Sequence, residues 1–298
     1  MVKRNNQERL GASQDSSGDI AAAAEAVGHA LKQATETSSP LSFVSPTEFI
    51  ELPSRGKFYP PGHPLLGKDV IEIKYMTAKH EDILTSPTLL KKGIAIERLI
   101  QDLIVDKNIK LDELLVGDKN ALLVGARLTG YGPEYEANVT CVACGSTQKH
   151  KFDLTKLDHV YPEEEQLKKY NIEFTEKNTF LITLPKTKVT VEARILNGKD
   201  EKNMAYMVKK REKHGFGTAE VSMTDQMKMT IIAINKVTDK AAISNFIDNM
   251  PAFDSKFYRL CYAAVTPNVD MVQEFSCKSC GHEEEVNVPL TADFFWPE

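Results

Sequence analysis

Cys141-Val142-Ala143-Cys144-Gly145 and Cys277-Lys278-Ser279-Cys280-Gly281 are the two stretches on which the reading of this chain turns. Each is a C-x-x-C-G knuckle. The short spacing lets two sulfurs face one point across a tight turn, and the glycine lets the backbone fold beneath the second sulfur. Four thiolates fill a tetrahedral zinc shell and leave no position for water, so such a centre holds structure together and activates nothing. Cys141, Cys144, Cys277 and Cys280 are therefore the predicted ligands of one structural Zn2+. A redox pair is the competing reading of a single C-x-x-C, but that motif usually opens a helix after a strand. An iron–sulfur cluster takes the same number of cysteines and stays open as an alternative. His150 and His282 lie close enough to stand in as ligands, although four cysteines suffice. The fifth cysteine, Cys261, sits in the apolar run from Phe257 to Val265 and reads as a small buried residue of a helix.

Outward from the knuckles the pattern alternates. Val139 leads into the first, and Lys149-His-Lys-Phe-Asp-Leu154 leads away. Phe275 leads into the second, and Glu284-Glu-Val-Asn-Val-Pro-Leu290 leads away. Period-two alternation on both sides of a turn predicts a β-hairpin around each pair, and two hairpins on one ion make a zinc ribbon.

The spacing extends further. Asp118 precedes Cys141 by 23 residues, and Asp254 precedes Cys277 by the same 23. At the shared offset of 136, Leu122, Leu128, Val139 and Leu154 fall on Tyr258, Ala264, Phe275 and Leu290. Thr179-Phe-Leu-Ile-Thr-Leu-Pro185 also resembles Phe49-Ile-Glu-Leu-Pro53. The predicted fold is α+β: two similar helical modules, each with a β-hairpin, joined by the shared four-cysteine site near a pseudo-twofold axis. Residues 1–40, rich in Ser, Thr, Gln, Asn and Ala, read as a flexible N-terminal arm with a short helix over 19–33. The first module spans 41–160, a charged linker 161–178, and the second module 179–298.

Within the modules, Phe49–Pro53 and Val70–Tyr75 read as strands around a Pro- and Gly-rich loop. Helices are expected from Thr77, over 94–104, from a cap at Asp118 to Leu128, over 200–213, from a cap at Thr224 to Lys236, over 239–249, and from a cap at Asp254 to Val265. The tail Asp293-Phe-Phe-Trp-Pro-Glu298 either plugs the domain's own core or docks on another subunit.

Composition bounds the function. With 298 residues, 42% of them hydrophobic, the chain can bury a substantial core. A net charge of -5 disfavours coating nucleic acid. No run approaches the length of a membrane span, and five cysteines in so long a chain do not make a disulfide scaffold, which suits a reducing compartment. The seven histidines are scattered, and neither H-E-x-x-H nor G-x-S-x-G occurs. Ser54-Arg-Gly-Lys57 lacks the phosphate-loop pattern, His80-Glu81-Asp82 reads as a charged helix start, and Lys209-Lys-Arg-Glu-Lys-His-Gly215 as a solvated helix end. The expectation is a protein that is not an enzyme.

Leu52-Pro-Ser-Arg-Gly-Lys-Phe-Tyr59, the helices after it and the first knuckle resemble the baseplate hub proteins of contractile-tailed bacteriophages related to T4. The resemblance runs from about residue 45 to the C-terminus. It implies a structural or assembly role in a viral tail baseplate hub, contacts with other tail and baseplate proteins, assembly in the host cytoplasm, and no enzymatic reaction. The alternative from the residues alone is a zinc-ribbon nucleic-acid-binding or transcription accessory protein, resting on Lys149, His150, Lys151 and Lys209–Arg211. Against it stand the net charge and the acidic Glu283–Glu285 beside the second knuckle.

Overall fold

The computed structural model describes residues 46–214, 221–290 and 292–295. The expected N-terminal arm and its helix, Gly215 and Trp296 lie outside the described residues.

The architecture is α+β, built from small antiparallel sheets and helices. Strands β1 (Thr47–Glu51) and β2 (Val70–Lys74) pair first, from Thr47↔Lys74 to Glu51↔Val70. Helices α1 (Ala78–Thr85), α2 (Pro87–Lys92) and α3 (Ala95–Leu103) follow. In α3 the buried residues Ala95, Leu99, Ile100 and Leu103 repeat at helical spacing, which places one stripe in the core. A 3₁₀ turn (Leu111–Glu113) leads to α4 (Val116–Tyr131), and then to the long hairpin β3 (Glu134–Thr140) and β4 (Thr147–Asp153) that carries the first knuckle. A 3₁₀ turn (Leu154–Lys156) and the short β5 (His159–Val160) end this half.

Residues 161–178, expected as a charged linker, contain α5 (Glu164–Lys169) and β6 (Glu173–Phe174). Glu164 and Lys168 face solvent as an ion pair, but Leu167 and Tyr170 pack against the core. The second half adds β7 (Phe180–Thr183), β8 (Thr190–Ala193), α6 (Gly198–His214), α7 (Met223–Thr230), β9 (Ile231–Ile234), α8 (Lys240–Asp248) and α9 (Ala252–Val265). It closes with β10 (Asn268–Val269), the second knuckle's hairpin β11 (Val272–Ser276) and β12 (Glu283–Asn287), and a 3₁₀ turn (Ala292–Phe295). Strands β6, β7, β8 and β9 form one four-stranded sheet in that order.

Several local expectations are corrected. The helix predicted through Lys236 stops at Thr230, and its β-branched Ile231-Ile-Ala-Ile234 run joins the sheet beside β8. Tertiary pairing there outweighs helical propensity. The cap of α7 is Ser222, whose hydroxyl accepts the Asp225 N–H at 3.1 Å, and not Thr224. Asp118 and Asp254 are not caps. Each occupies the third position of its helix, with its side chain buried.

Both halves contribute to one contiguous core, from Leu52 through Leu122, Ile182 and Tyr258 to Phe294 and Phe295. Those two phenylalanines are each 1% exposed, so this part of the tail plugs its own domain. Backbone bonds also cross between halves: Val116 N–H donates to Leu196 at 3.1 Å and Gly198 N–H to Leu114 at 2.9 Å. At Gly117 a Cβ would lie 2.1 Å from the Pro267 carbonyl, so only glycine lets α4 approach the chain entering β10 this closely.

Candidate metal centre

The hairpins bring the predicted cysteines together. Their alternation sends Val139, Gln148, His150 and Phe152 from one, and Gln273, Phe275, Glu284 and Val286 from the other, toward partly or fully covered faces. At each tip the knuckle repeats one backbone pattern. Cys141 N–H donates to Ser146 at 3.0 Å and Gly145 N–H returns to Cys141 at 2.9 Å. Cys277 N–H donates to His282 and Gly281 N–H returns to Cys277, both at 2.8 Å. Gly145 and Gly281 have φ of 69° and 73°, the left-handed region the glycines were expected to supply.

The four Sγ atoms lie within 4.8 Å of one another. Cys141 and Cys280 sulfurs are 3.8 Å apart, and Cys144 and Cys277 sulfurs 3.7 Å. A tetrahedron of zinc–thiolate bonds of about 2.3 Å has edges of roughly 3.8 Å. The donor set therefore fits a single tetrahedral ion. It fits a cluster poorly, because a cube with one cysteine on each iron spreads its thiolates further apart. Cys141 and Cys277 are buried and Cys144 and Cys280 exposed, so the inner half of the site is dry and the outer half faces solvent. The Cys280 backbone N–H, above all, draws the Cys277 thiol down to about 6. Cys280 moves the other way, to about 12: its His282 backbone bond lowers it, but the surrounding Cys144, Cys277 and Cys141 sulfurs prevail. A bound cation would deprotonate every thiol that it coordinates, Cys280 included.

The contacts around the sulfurs are reciprocal. Lys278 N–H donates to Gln148 Oε1 at 2.9 Å, and Val142 N–H donates to Glu284 Oε1 at 3.4 Å; these two pairs exchange under the 136-residue offset. The Cys141–Cys280 and Cys144–Cys277 pairs exchange in the same way. Gln148 also donates to the Ser276 carbonyl at 3.1 Å, and Gln273 makes a two-point contact with the backbone of Asp153, at 2.7 and 3.1 Å. These glutamines lace one hairpin to the other, as a strand neighbour would. Sequence reading missed them; their one signal is a polar residue on the inward register of an alternating strand.

His150 and His282 are not among the clustered ligand atoms. The His150 ring stands edge-on between Phe152 and Phe275, at 4.7 and 5.3 Å, and burial, with Lys278 second, lowers its pKa. Cys261 is fully buried in α9, and burial raises its thiol to about 12, as an inert core residue requires. His80-Glu81-Asp82 stands in the first turns of α1 as expected, with Glu81 and Asp82 exposed, but His80 itself is buried. It is 6% exposed; its Nδ1 accepts the Thr77 N–H at 2.9 Å, and Nε2 faces Asp102 at 3.2 Å. Although Thr77, His80 and Asp102 line up like a nucleophile, base and orienting acid, the Thr77 backbone already holds the ring's acceptor nitrogen, so the arrangement caps α1.

Behind the centre, the two aspartates at the 136 offset anchor their halves alike. Asp118 accepts Ser54 N–H at 2.9 Å, Ser54 Oγ–H at 2.6 Å and Tyr59 O–H at 2.7 Å. Asp254 accepts Lys186 N–H at 2.8 Å and Thr187 N–H at 2.9 Å. Ser54 and Lys186 each follow a Leu-Pro pair at a strand's end. Burial pushes the Asp118 pKa up despite the Ser54 and Tyr59 bonds, whereas at Asp254 burial is overcome by the two backbone donors and the pKa falls.

Residues 46–296 match the family model described as T4 bacteriophage base plate protein. The chain belongs to this family. No curated protein matches it, and no solved structure does. Membership of the base plate family supports a structural role in the phage baseplate, implies other phage tail proteins as partners in the virion, and suits a structural rather than a catalytic protein. Among the described residues no helix is long and apolar enough to cross a membrane.

Proposed function

We propose that this base plate protein is a hub component, structural or assembly, made of two similar modules clasped by a zinc ion on Cys141, Cys144, Cys277 and Cys280. The carrying observation is the four-sulfur cluster where two hairpins from distant parts of the chain meet. The repeat is supported by element order: strand hairpin, helices, a strand or bridge returning to the hairpin (Ile73↔Ile104 in one half, β8–β9 in the other), then an aspartate-anchored helix and a knuckle hairpin. Reciprocal contacts across the sulfurs are what a twofold relation between copies produces. The modules run over 41–160 and 179–298, with 161–178 as the connection between them.

In this role the ion fixes the angle between the hairpins, while the shared core fixes the modules behind them. The nucleic-acid reading loses its main support. Lys149 and Lys151 pair with Glu136 and Glu134 at 3.0 and 3.4 Å, and Arg211 with Asp225 at 2.6 Å. A cleft of about 460 Å³ beside the second hairpin is lined by Glu274, Glu283, Glu284 and Glu285, which would repel a phosphate backbone. Mass spectrometry of finished particles and of purified hub intermediates tests the assignment. The chain should occur at fixed stoichiometry in hub intermediates; presence in finished particles makes it a permanent subunit, and absence there an assembly factor. Absence from both would overturn the proposal.

A further inference from the structure

The reciprocity around the sulfurs stops at one side chain. Gln148 lies along the backbone on both sides of Cys277: its Oε1 accepts the Lys278 N–H at 2.9 Å and its Nε2 donates to the Ser276 carbonyl at 3.1 Å. The 136-residue offset sets Glu284 in the place of Gln148, and Val142 and Thr140 in the places of Lys278 and Ser276. Glu284 Oε1 accepts the Val142 N–H, at 3.4 Å, but a carboxylate has no proton for the Thr140 carbonyl. The second knuckle is therefore clamped from across the centre at two points, and the first at one longer one. Gln273 also holds the first hairpin, but at Asp153, the end of β4 far from the knuckle. The Ser146 and Ser279 hydroxyls meet at 3.0 Å and tie both tips alike. Exposure favours neither knuckle: each has a buried first cysteine and an exposed second one.

We propose that the clasp opens at the first knuckle, with Gln148 the positioning residue that keeps Cys277 and Cys280 in place while Cys144 leaves. The inference rests on the zinc reading. Four thiolates leave no free position around an ion, so an incoming chelator must displace one of them, which then takes a proton from water. The sulfur given up first is an exposed one on the segment that moves most easily. Cys144 meets both conditions, and Cys280 only the first. Val142, beside the single contact, is 77% exposed, so its side chain adds little packing to hold this tip. One hydrogen bond has a modest net effect, so the two knuckles differ several-fold in rate and both still carry the ion.

Transfer of zinc from the loaded chain to a chromogenic chelator, with cysteine alkylation mapped by mass spectrometry, reads both rate and order. Cys144 should be modified at least about threefold faster than Cys280, with buried Cys261 unmodified as the internal control. Gln148→Glu should speed transfer and Glu284→Gln slow it, each about three- to tenfold. Both side chains are half-buried and outside the core, so both variants should fold. The double swap leaves the net charge unchanged and moves the two-point clamp to the first knuckle, so Cys280 should then react first. Hydrogen exchange reads the same asymmetry with or without an ion: residues 141–146 should be less protected than 277–282 in the wild type, and more protected in the swap. Absence of zinc from the wild-type chain would sink the zinc reading and leave the exchange comparison to decide this one. Equal alkylation of Cys144 and Cys280, equal protection of the two knuckles, or a swap that leaves the order unchanged would overturn the proposal.

Discussion

Replacing Asp118 by alanine should be among the most damaging single substitutions in the first half. The carboxylate is 0% exposed and receives three donors: the backbone N–H and hydroxyl of Ser54, and the Tyr59 hydroxyl. Each buried donor left without a partner costs about 1–3 kcal/mol. The bonds these hydroxyl oxygens accept, from Gly56 at 3.0 Å and Leu115 at 3.3 Å, stay in place but satisfy none of the lost donors. The substitution also removes the burden of burying a charge, which the raised Asp118 pKa records. The balance is a loss of about 3 kcal/mol. Tyr59→Phe removes one donor and should cost about 1 kcal/mol, and the double variant should fall well short of the sum, because both changes break one network. Chemical denaturation of the metal-loaded protein measures all three. A loss below about 1 kcal/mol for Asp118→Ala, or strict additivity with Tyr59→Phe, would refute the view of Asp118 as the anchor of the 52–59 loop.

Two further outcomes follow from other sites. Asp225 is held well below the usual carboxylate range, first by the Arg211 guanidinium and then by Ser222. A depressed carboxylate contributes stability above its unfolded pKa of about 3.9 and loses it as pH falls toward the folded value, so Asp225→Asn should flatten the stability–pH curve below about pH 4 and leave its slope near neutrality unchanged. A Cβ at Gly145 or Gly281 would meet no atom within 4 Å, but both residues hold positive φ. Gly281→Ala should therefore cost about 1–2 kcal/mol through backbone strain alone, and Gly281→Asn less, measured as thermal stability of the loaded protein.

Much of the centre is legible in the sequence because its determinants are local. A C-x-x-C-G knuckle with alternating flanks specifies turn, hairpin and ligand set within about fifteen residues. What escapes is set by distant partners. Asp118 and Asp254 look like caps because an acid at a helix start suits either a cap or the first turn; which applies depends on whether Ser54 or Lys186 arrives to donate. Ile231–Ile234 fits the period of the helix before it, and only the open edge of β8 draws it into a strand. The aromatic tail carries no sign of whether its cover lies in its own chain, and Phe294 and Phe295 find it beside Tyr135 and α4. The core shared by the two halves likewise escapes the sequence, since it depends on contacts between distant segments such as Gly117 against Pro267.

That shared core also sets the scale for the metal. Zinc contributes about 10–16 kcal/mol in isolated finger peptides; here a core drawn from both halves lies outside the knuckles, so removal of the ion should loosen the hairpins and lower the melting temperature without unfolding the chain. The most direct test is elemental analysis of the purified protein alongside Cys144→Ser and Cys280→Ser, each with a melting curve. A zinc clasp predicts one zinc per wild-type chain, and loss of the metal with a lowered melting temperature in both variants. Metal content and melting unchanged in either variant would contradict it.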